Sequence, residues 1–200
     1  MTIILATNNR HKRDELAQVL LSELGDTVTL KTLEEVGLGG LDIPETGVTL
    51  EENALIKART VHERTGHSTL ADDTGLEVEA LHGAPGVYSA RYAGVGATYA
   101  DNVTKLLASL EGAEDRSATF KTVIAFIDAS EKGEYLFSGS VQGTIVSERR
   151  GSHGFGYDPI FEPLESNGLT FAQMTPEAKN KISHRSRALL AFSEFLKKSL

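Results

Sequence analysis

The run Ser152-His153-Gly154-Phe155-Gly156-Tyr157-Asp158-Pro159-Ile160-Phe161 constrains this chain more than any other stretch. Glycine weakens the interior of a helix or a strand and proline removes a backbone donor, so neither element has a use for this mixture. The segment reads as a loop, and one that keeps aromatic rings suits wrapping a flat ligand. Three other segments share its character. Thr7-Asn8-Asn9-Arg10-His11-Lys12 follows an N-terminal apolar run, Asp72-Asp73-Thr74-Gly75 ends another, and Ser183-His184-Arg185 opens the C-terminal helical pattern. The four together read as a nucleotide site.

The 200 residues, 40% of them apolar, suit one globular domain, or two lobes sharing one sheet. A net charge of -8 argues against a general grip on nucleic acid polymers, which needs a basic surface. An anionic ligand must then meet a local cluster of cations or a metal. Cysteine is absent, which excludes thiolate chemistry, Cys-based zinc sites and disulfides, and fits a reducing compartment. The apolar run Ile3-Ile4-Leu5-Ala6 is far shorter than the span of about 20 residues that crosses a membrane. The expectation is a cytoplasmic protein with no membrane partner.

Along the chain, a strand at 3–7 passes through a polar turn into a helix carrying Leu16, Val19, Leu20 and Leu24, with Gly25 as its stop. Thr49 and Glu52 have capping-box spacing before a helix at about 50–65. Residues 68–71 read as a strand that stops at the two aspartates, and Leu76 to Leu81 alternates as a half-exposed strand. Ala84-Pro85-Gly86 is a turn. Thr98 caps a helix that turns Val103, Leu106, Leu107 and Leu110 inward and ends at Gly112. Three strands follow, marked by Phe120 to Ile127, by Tyr135 and Phe137, and by Val141 and Ile145. Glu131-Lys132-Gly133 and a bend near Gly139 or Gly143 join them. Helices at about 176–181 and 184–198 complete an α/β chain whose mixed central β-sheet is flanked by helices.

Asp72 and Asp73 draw notice because ligand sites in such sheets gather at the C-terminal ends of strands. Neighbouring strand residues face opposite ways, so an unbroken strand aims only one carboxylate into a given cleft, unless Gly75 turns the backbone. Mg²⁺ takes one or two carboxylates plus substrate oxygens, and Glu45, Glu52, Asp72 and Asp73 are the candidates. The plainer alternative is a solvated strand end. At Thr7 to Lys12, unpaired N–H groups, the helix dipole and Lys12 suit phosphates. Taken alone the segment fits a capped helix with an exposed basic first turn, but Arg10, His11 and Lys12 there oppose the macrodipole and are better tolerated beside an anion. Arg185 offers a planar fork and His184 a ring N–H, which suits the keto oxygen and ring nitrogen of a base. No P-loop, no GxGxxG after a strand, no HExxH and no GxSxG elbow occurs.

These residues resemble the Ham1/RdgB-like inosine triphosphate pyrophosphatases. The likeness runs from Ile4-Leu5-Ala6-Thr7-Asn8-Asn9 to Ile182-Ser183-His184-Arg185, nearly the whole chain. Between them Glu45-Thr46-Gly47, Glu52-Asn53-Ala54, Lys57-Ala58, Ala71-Asp72-Asp73-Thr74-Gly75-Leu76, Gly83 to Tyr92 and Gly154 to Phe161 keep the family's order. The resemblance implies one ITPase-like domain over 1–200, with two lobes and a nucleotide-binding cleft between them. It implies hydrolysis of ITP, dITP and XTP to monophosphate and pyrophosphate, with Mg²⁺ and as a homodimer. Carried over by residue, Thr7, Asn8, Asn9, Arg10, His11 and Lys12 hold phosphates, and Glu45 with Asp73 binds metal. Asp73 also accepts the proton of water. Thr74 lines the substrate site, and Phe155, Gly156, Tyr157, Asp158, Lys179, His184 and Arg185 surround the nucleotide. The family often has glycine at the position of Asn8, which implies either an unusual backbone or a slightly different phosphate contact there; it commonly has serine where Thr74 stands, which keeps the hydroxyl, and glycine where His153 stands, a larger side chain that could narrow the pocket.

Overall fold

The computed structural model describes residues 1–131 and 133–199. In chain order the elements are β1 (Thr2–Leu5), α1 (Arg10–Leu24), β2 (Thr29–Lys31), α2 (Leu50–Thr65), β3 (Ser68–Val78) and β4 (Pro85–Gly86). There follow α3 (Tyr99–Ser109), β5 (Ser117–Ile127), β6 (Glu134–Ile145), β7 (Phe161–Pro163), α4 (Pro176–Ile182) and α5 (His184–Ser199). The strands form one seven-stranded mixed sheet in the order β2-β1-β3-β5-β6-β7, with β4 paired to β3. β1 runs parallel to both β2 and β3, whereas β4 on β3 and β7 on β6 are antiparallel.

The chain divides into two compact units. Unit 1 holds Met1–Asp73, Thr122–Gly139 and Arg185–Leu200, and unit 2 holds Thr74–Lys121 and Ser140–His184. Strands β3, β5 and β6 each contribute residues to both.

In unit 1 the alternation of the strands sorts the core onto two faces. Ile3, Leu5, Leu70, Ile124 and Phe126 pack with Leu16, Val19 and Leu20 of α1 and with Leu189, Phe192 and Leu196 of α5. Ile4, Ala6, Ala71, Val123, Ala125 and Ile127 pack instead with Ala54, Ala58 and Val61 of α2. Each large side chain so buried contributes about 1.5–3 kcal/mol. Unit 2 has its own core, in which Leu76 and Val78, the α3 residues Val103, Leu106 and Leu110, and the rings of Phe120, Phe161 and Phe171 meet.

The helix boundaries follow their caps. Thr49 accepts from the Glu52 N–H, and Gly66 at φ 69° takes the left-handed stop after α2. The Glu52 carboxylate reaches the N–H of Val48, not that of Thr49, so the expected reciprocal box is displaced by one residue. A full capping box forms at Thr98 and Asp101 ahead of α3.

Three expectations for the strands need correction. β3 does not stop at the aspartates but runs unbroken over 11 residues, with Asp72 and Asp73 in its middle. Residues 79–81 leave the strand as a short 3-10 turn. β6 passes straight through Gly139 and Gly143. At Gly143 a β-carbon would come within 2.5 Å of the Glu162 carbonyl oxygen and 2.6 Å of the Phe161 ring, so glycine there permits close strand packing, not a bend. In the expected connection 131–133, Lys132 lies outside the described residues. Among the described residues no helix is long and apolar enough to cross a membrane.

Candidate functional site

Two groups of chemistry-bearing side chains form, one inside each unit. Unit 1 gathers charge. Because Asp72 falls two residues after Leu70 and Asp73 two after Ala71, the two carboxylates project from opposite faces of β3. Asp72 is on the face of α1 and α5. Its side chain is 1% exposed; Oδ2 lies 3.1 Å from Lys12 Nζ and 3.3 Å from both Nε and Nη2 of Arg185. The other arm of the Arg185 guanidinium donates to Glu15. Burial raises the Asp72 carboxyl, yet Lys12, Arg185 and Lys57 outweigh it and hold the group well below the ordinary carboxylate range. Burial also lowers the Lys12 ammonium against the pull of Asp72.

Asp73 is on the face of α2. Lys57 Nζ lies 3.0 Å from its Oδ1 and 2.7 Å from Glu45 Oε1, so one ammonium bridges the two acids assigned to a metal. Burial raises the Asp73 carboxyl above its ordinary value, with Lys57 and Lys12 opposing. Asp73 Oδ2 is buried and has no hydrogen-bond partner. An orphaned carboxylate oxygen beside a second acid fits a hard cation that also takes substrate oxygens and water. Among the described residues no group of three or more acidic or histidine side chains is placed to hold a metal ion.

The turn before α1 is held by its own side chains. Thr7 Oγ1 accepts from the Asn9 N–H at 3.1 Å, and Asn9 caps the helix by accepting from the Lys12 N–H at 3.2 Å. Of the two expectations for Asn8 the unusual backbone is not met: among the described residues the non-glycine ones with positive φ are His82 and Asn167. The Asn8 amide instead donates to the Leu41 carbonyl at 2.8 Å and accepts from the Gly40 N–H at 3.3 Å, tying the turn to the segment that leads to Glu45. Of the three first-turn cations, Lys12 has its anion in Asp72, while Arg10 is exposed and 3.8 Å from Asp14. His11 is also exposed.

Unit 2 gathers rings around one ion pair. Lys179 Nζ lies 2.6 Å from Asp158 Oδ2, both side chains nearly sealed from solvent, and Asp158 also accepts from the Phe155 N–H at 2.9 Å. Gly154, at φ 73°, has this same carboxylate where a β-carbon would stand, so the loop closes on Asp158 only with glycine there. The Lys179 ammonium sits 5.2 Å from the centre of the Phe155 ring and 5.5 Å from that of Phe171. Tyr99 flanks Phe155 at 5.8 Å. The Tyr157 hydroxyl donates to the Ser89 carbonyl at 2.8 Å, and Ser89 Oγ accepts from the Leu76 N–H, which anchors the loop to β3. His184 is buried, its ring stacked on Phe120 at 4.4 Å and 4°. Thr74 is half-buried and Gly156 has φ 62°. His153 is exposed and donates its N–H to the Ala172 carbonyl.

The expected residues therefore divide. Thr7 to Lys12, Glu45, Asp73 and Arg185 fall in unit 1, and Thr74, Phe155 to Asp158, Lys179 and His184 in unit 2. Arg185 belongs with the charged group through Asp72 and Glu15, although it adjoins His184 in sequence. Sequence reasoning passed over Lys57, Glu15 and Phe120 as functional groups. Lys57 had left a signal: it lies on the inward stripe of Ala54, Ala58 and Val61, where a lysine needs a buried partner.

The sequence profile of the Ham1 family matches residues 3–195. A dITP/XTP pyrophosphatase of Porphyromonas gingivalis is 51% identical over 195 residues, covering 97% of this chain and 96% of its own. One from a Thermoanaerobacter species is 48% identical, covering 100% and 98%. A solved Ham1 protein of Coxiella burnetii superposes with a TM-score of 0.86 at 42% identity over 99% of each chain. That of Staphylococcus aureus gives 0.86 at 36% identity over 100% of each.

Proposed function

Since the chain belongs to the Ham1 family, we propose that it hydrolyses noncanonical purine nucleoside triphosphates, among them dITP, XTP and ITP, to monophosphate and pyrophosphate, which clears them from the nucleotide pool. The observation that carries the reading is the division of labour between Asp72 and Asp73. Asp72 is paired with Lys12 and Arg185 on one face of the strand, whereas Asp73 on the other face shares Lys57 with a second acid, Glu45.

Glu45 and Asp73 would hold Mg²⁺, which when bound offsets the charge of the phosphate oxygens. Asp73 orients water on the α-phosphorus and takes its proton as the new P–O bond forms and pyrophosphate leaves. Lys57 spaces the two acids. The turn Thr7 to Lys12 presents backbone N–H groups and the Lys12 ammonium to the phosphates. Arg185, held by Asp72 and Glu15, shares the Asp72 carboxylate with Lys12 and would be one of the residues around the nucleotide.

Phe155 would stack on the base, with Lys179 and Asp158 fixing its loop and His184 offering a donor to the 6-keto oxygen. Thr74, Gly156 and Tyr157 line and support that side. ATP, with an amino group at position 6, would leave such a donor unpaired, a mismatch that discriminates strongly. GTP shares the keto oxygen, so its rejection rests on a second contact near position 2. We further place the protein in the cytoplasm as a homodimer, a reading that the absence of cysteine supports for the compartment.

The test is to incubate the protein and Mg²⁺ with ITP, XTP, dITP, ATP and GTP, and to quantify pyrophosphate and orthophosphate separately. Pyrophosphate chiefly from the first three is expected. Orthophosphate, or equal use of ATP, would overturn the reading.

A further inference from the structure

The segment that carries Glu45 belongs to no helix or strand, yet it is fastened to α2 at successive points. Glu45 is held by Lys57 at 2.7 Å, and the Val48 N–H donates to Glu52 at 2.6 Å. Between them, the Gly47 N–H donates to Asn53 Oδ1 at 2.8 Å. Asn53 is wholly buried on the inner stripe of α2, one turn before Lys57.

Two features make this contact more than a chance hydrogen bond. A buried amide is costly when half-satisfied, and Asn53 Nδ2 has no partner, so a packed apolar residue would be the more stable choice there unless the Oδ1 contact were needed. On the other side, a β-carbon on Gly47 would stand 2.6 Å from Glu52 Cβ and 2.8 Å from Asn53 Oδ1. The close approach therefore requires glycine at 47 as it requires an acceptor at 53.

We propose that Asn53, through Gly47, is a positioning residue that seats the segment 45–48 on α2 and so presents the Glu45 carboxylate beside Asp73. The inference rests on the reading that these two acids serve a metal. Without the clasp Glu45 keeps its tether to Lys57 but loses the backbone anchor two residues away, and its carboxylate samples positions that no longer share a cation with Asp73. Outer contacts of this kind typically change metal affinity about 10- to 100-fold when removed.

The test uses Asn53→Ala and Gly47→Ala in the full chain, with thermal melting to confirm folding. Amide exchange at Gly47 and Val48 should quicken in Asn53→Ala. The Mg²⁺ concentration for half-maximal pyrophosphate release from ITP should rise about tenfold or more, with turnover at saturating metal largely kept. The double variant should be no worse than either single one, because both break one contact. If Asn53→Ala does not fold, Gly47→Ala, which removes no side chain from α2, carries the test. Unchanged exchange would overturn the clasp, and faster exchange with an unchanged metal requirement would overturn its link to Glu45. If the wild-type protein releases no pyrophosphate from any of these substrates, the functional reading fails, while exchange at 47 and 48 still decides whether Asn53 seats the segment.

Discussion

Both units bury an acid against a lysine, but they do so on different scaffolds. In unit 1 the acids stand on a central strand, and their cations come from helices on either face: Lys12 and Arg185 from α1 and α5, and Lys57 from α2. In unit 2 Asp158 stands in a loop, and Lys179 of α4 reaches it under the Phe155 ring. The strand fixes which way each carboxylate points, by alternation alone. The loop leaves that to glycine geometry at 154 and to the Asp158 contacts themselves. A rigid strand suits a group that must meet a reacting atom at a set distance, whereas a loop closed by rings suits a flat base recognised by its face.

The comparison breaks most sharply at the two adjacent aspartates. Asp73→Asn should lower the rate of pyrophosphate release about 10²- to 10⁴-fold, the usual worth of a positioned acid or base, with KM for ITP little changed. Steady-state kinetics would decide it, and unchanged turnover would remove Asp73 from the chemistry. Asp72→Asn should act on the fold instead. It leaves the buried Arg185 and the half-buried Lys12 with a counter-charge missing, a change that costs about 3–5 kcal/mol in denaturant unfolding.

The sign with pH follows from the lowered Asp72 carboxyl. A group whose pKa falls on folding adds stability that is complete above its unfolded pKa and drains as pH drops toward the folded one. Stability of the wild-type protein should therefore decline below the ordinary carboxylate range, and more shallowly in Asp72→Asn.

On the unit 2 side, Phe155→Ala should raise KM for ITP with turnover largely kept. Base stacking on an aromatic ring is worth about 1–3 kcal/mol, roughly 5- to 150-fold. A drop in turnover without a KM change would contradict the division between the two units. The smallest effect is expected away from both groups. Arg59 meets Glu134 at 2.8 and 2.6 Å, but the two side chains are 49% and 41% exposed, so Arg59→Ala should cost only about 0.2–1 kcal/mol by the same unfolding measurement.

Sequence reading succeeded where a local signal decides a local outcome. Helix α2 begins after Thr49 and ends before Gly66 because a side-chain oxygen and a left-handed residue settle the two termini within a few residues. The loop at 152–160 was legible for the same reason, since glycine and proline act on their own backbone, although Phe161 already begins β7. β3 was not. Its polar centre reads as a strand end, because two buried carboxylates in one strand make sense only once cations arrive from elsewhere.

Those cations are distant in the chain: Lys57 is 16 residues from Asp73, and Arg185 is 113 from Asp72. Residue order by itself determined which groups are present and where the helices cap. Only the tertiary structure decided which acid each cation neutralises, that Arg185 sides with Asp72 while His184 stacks on Phe120, and that Asp73 keeps one oxygen unpartnered. The physical reason is that periodicity and capping act over a few residues, while neutralising a buried charge depends on whichever side chain the packing brings within about 3–4 Å.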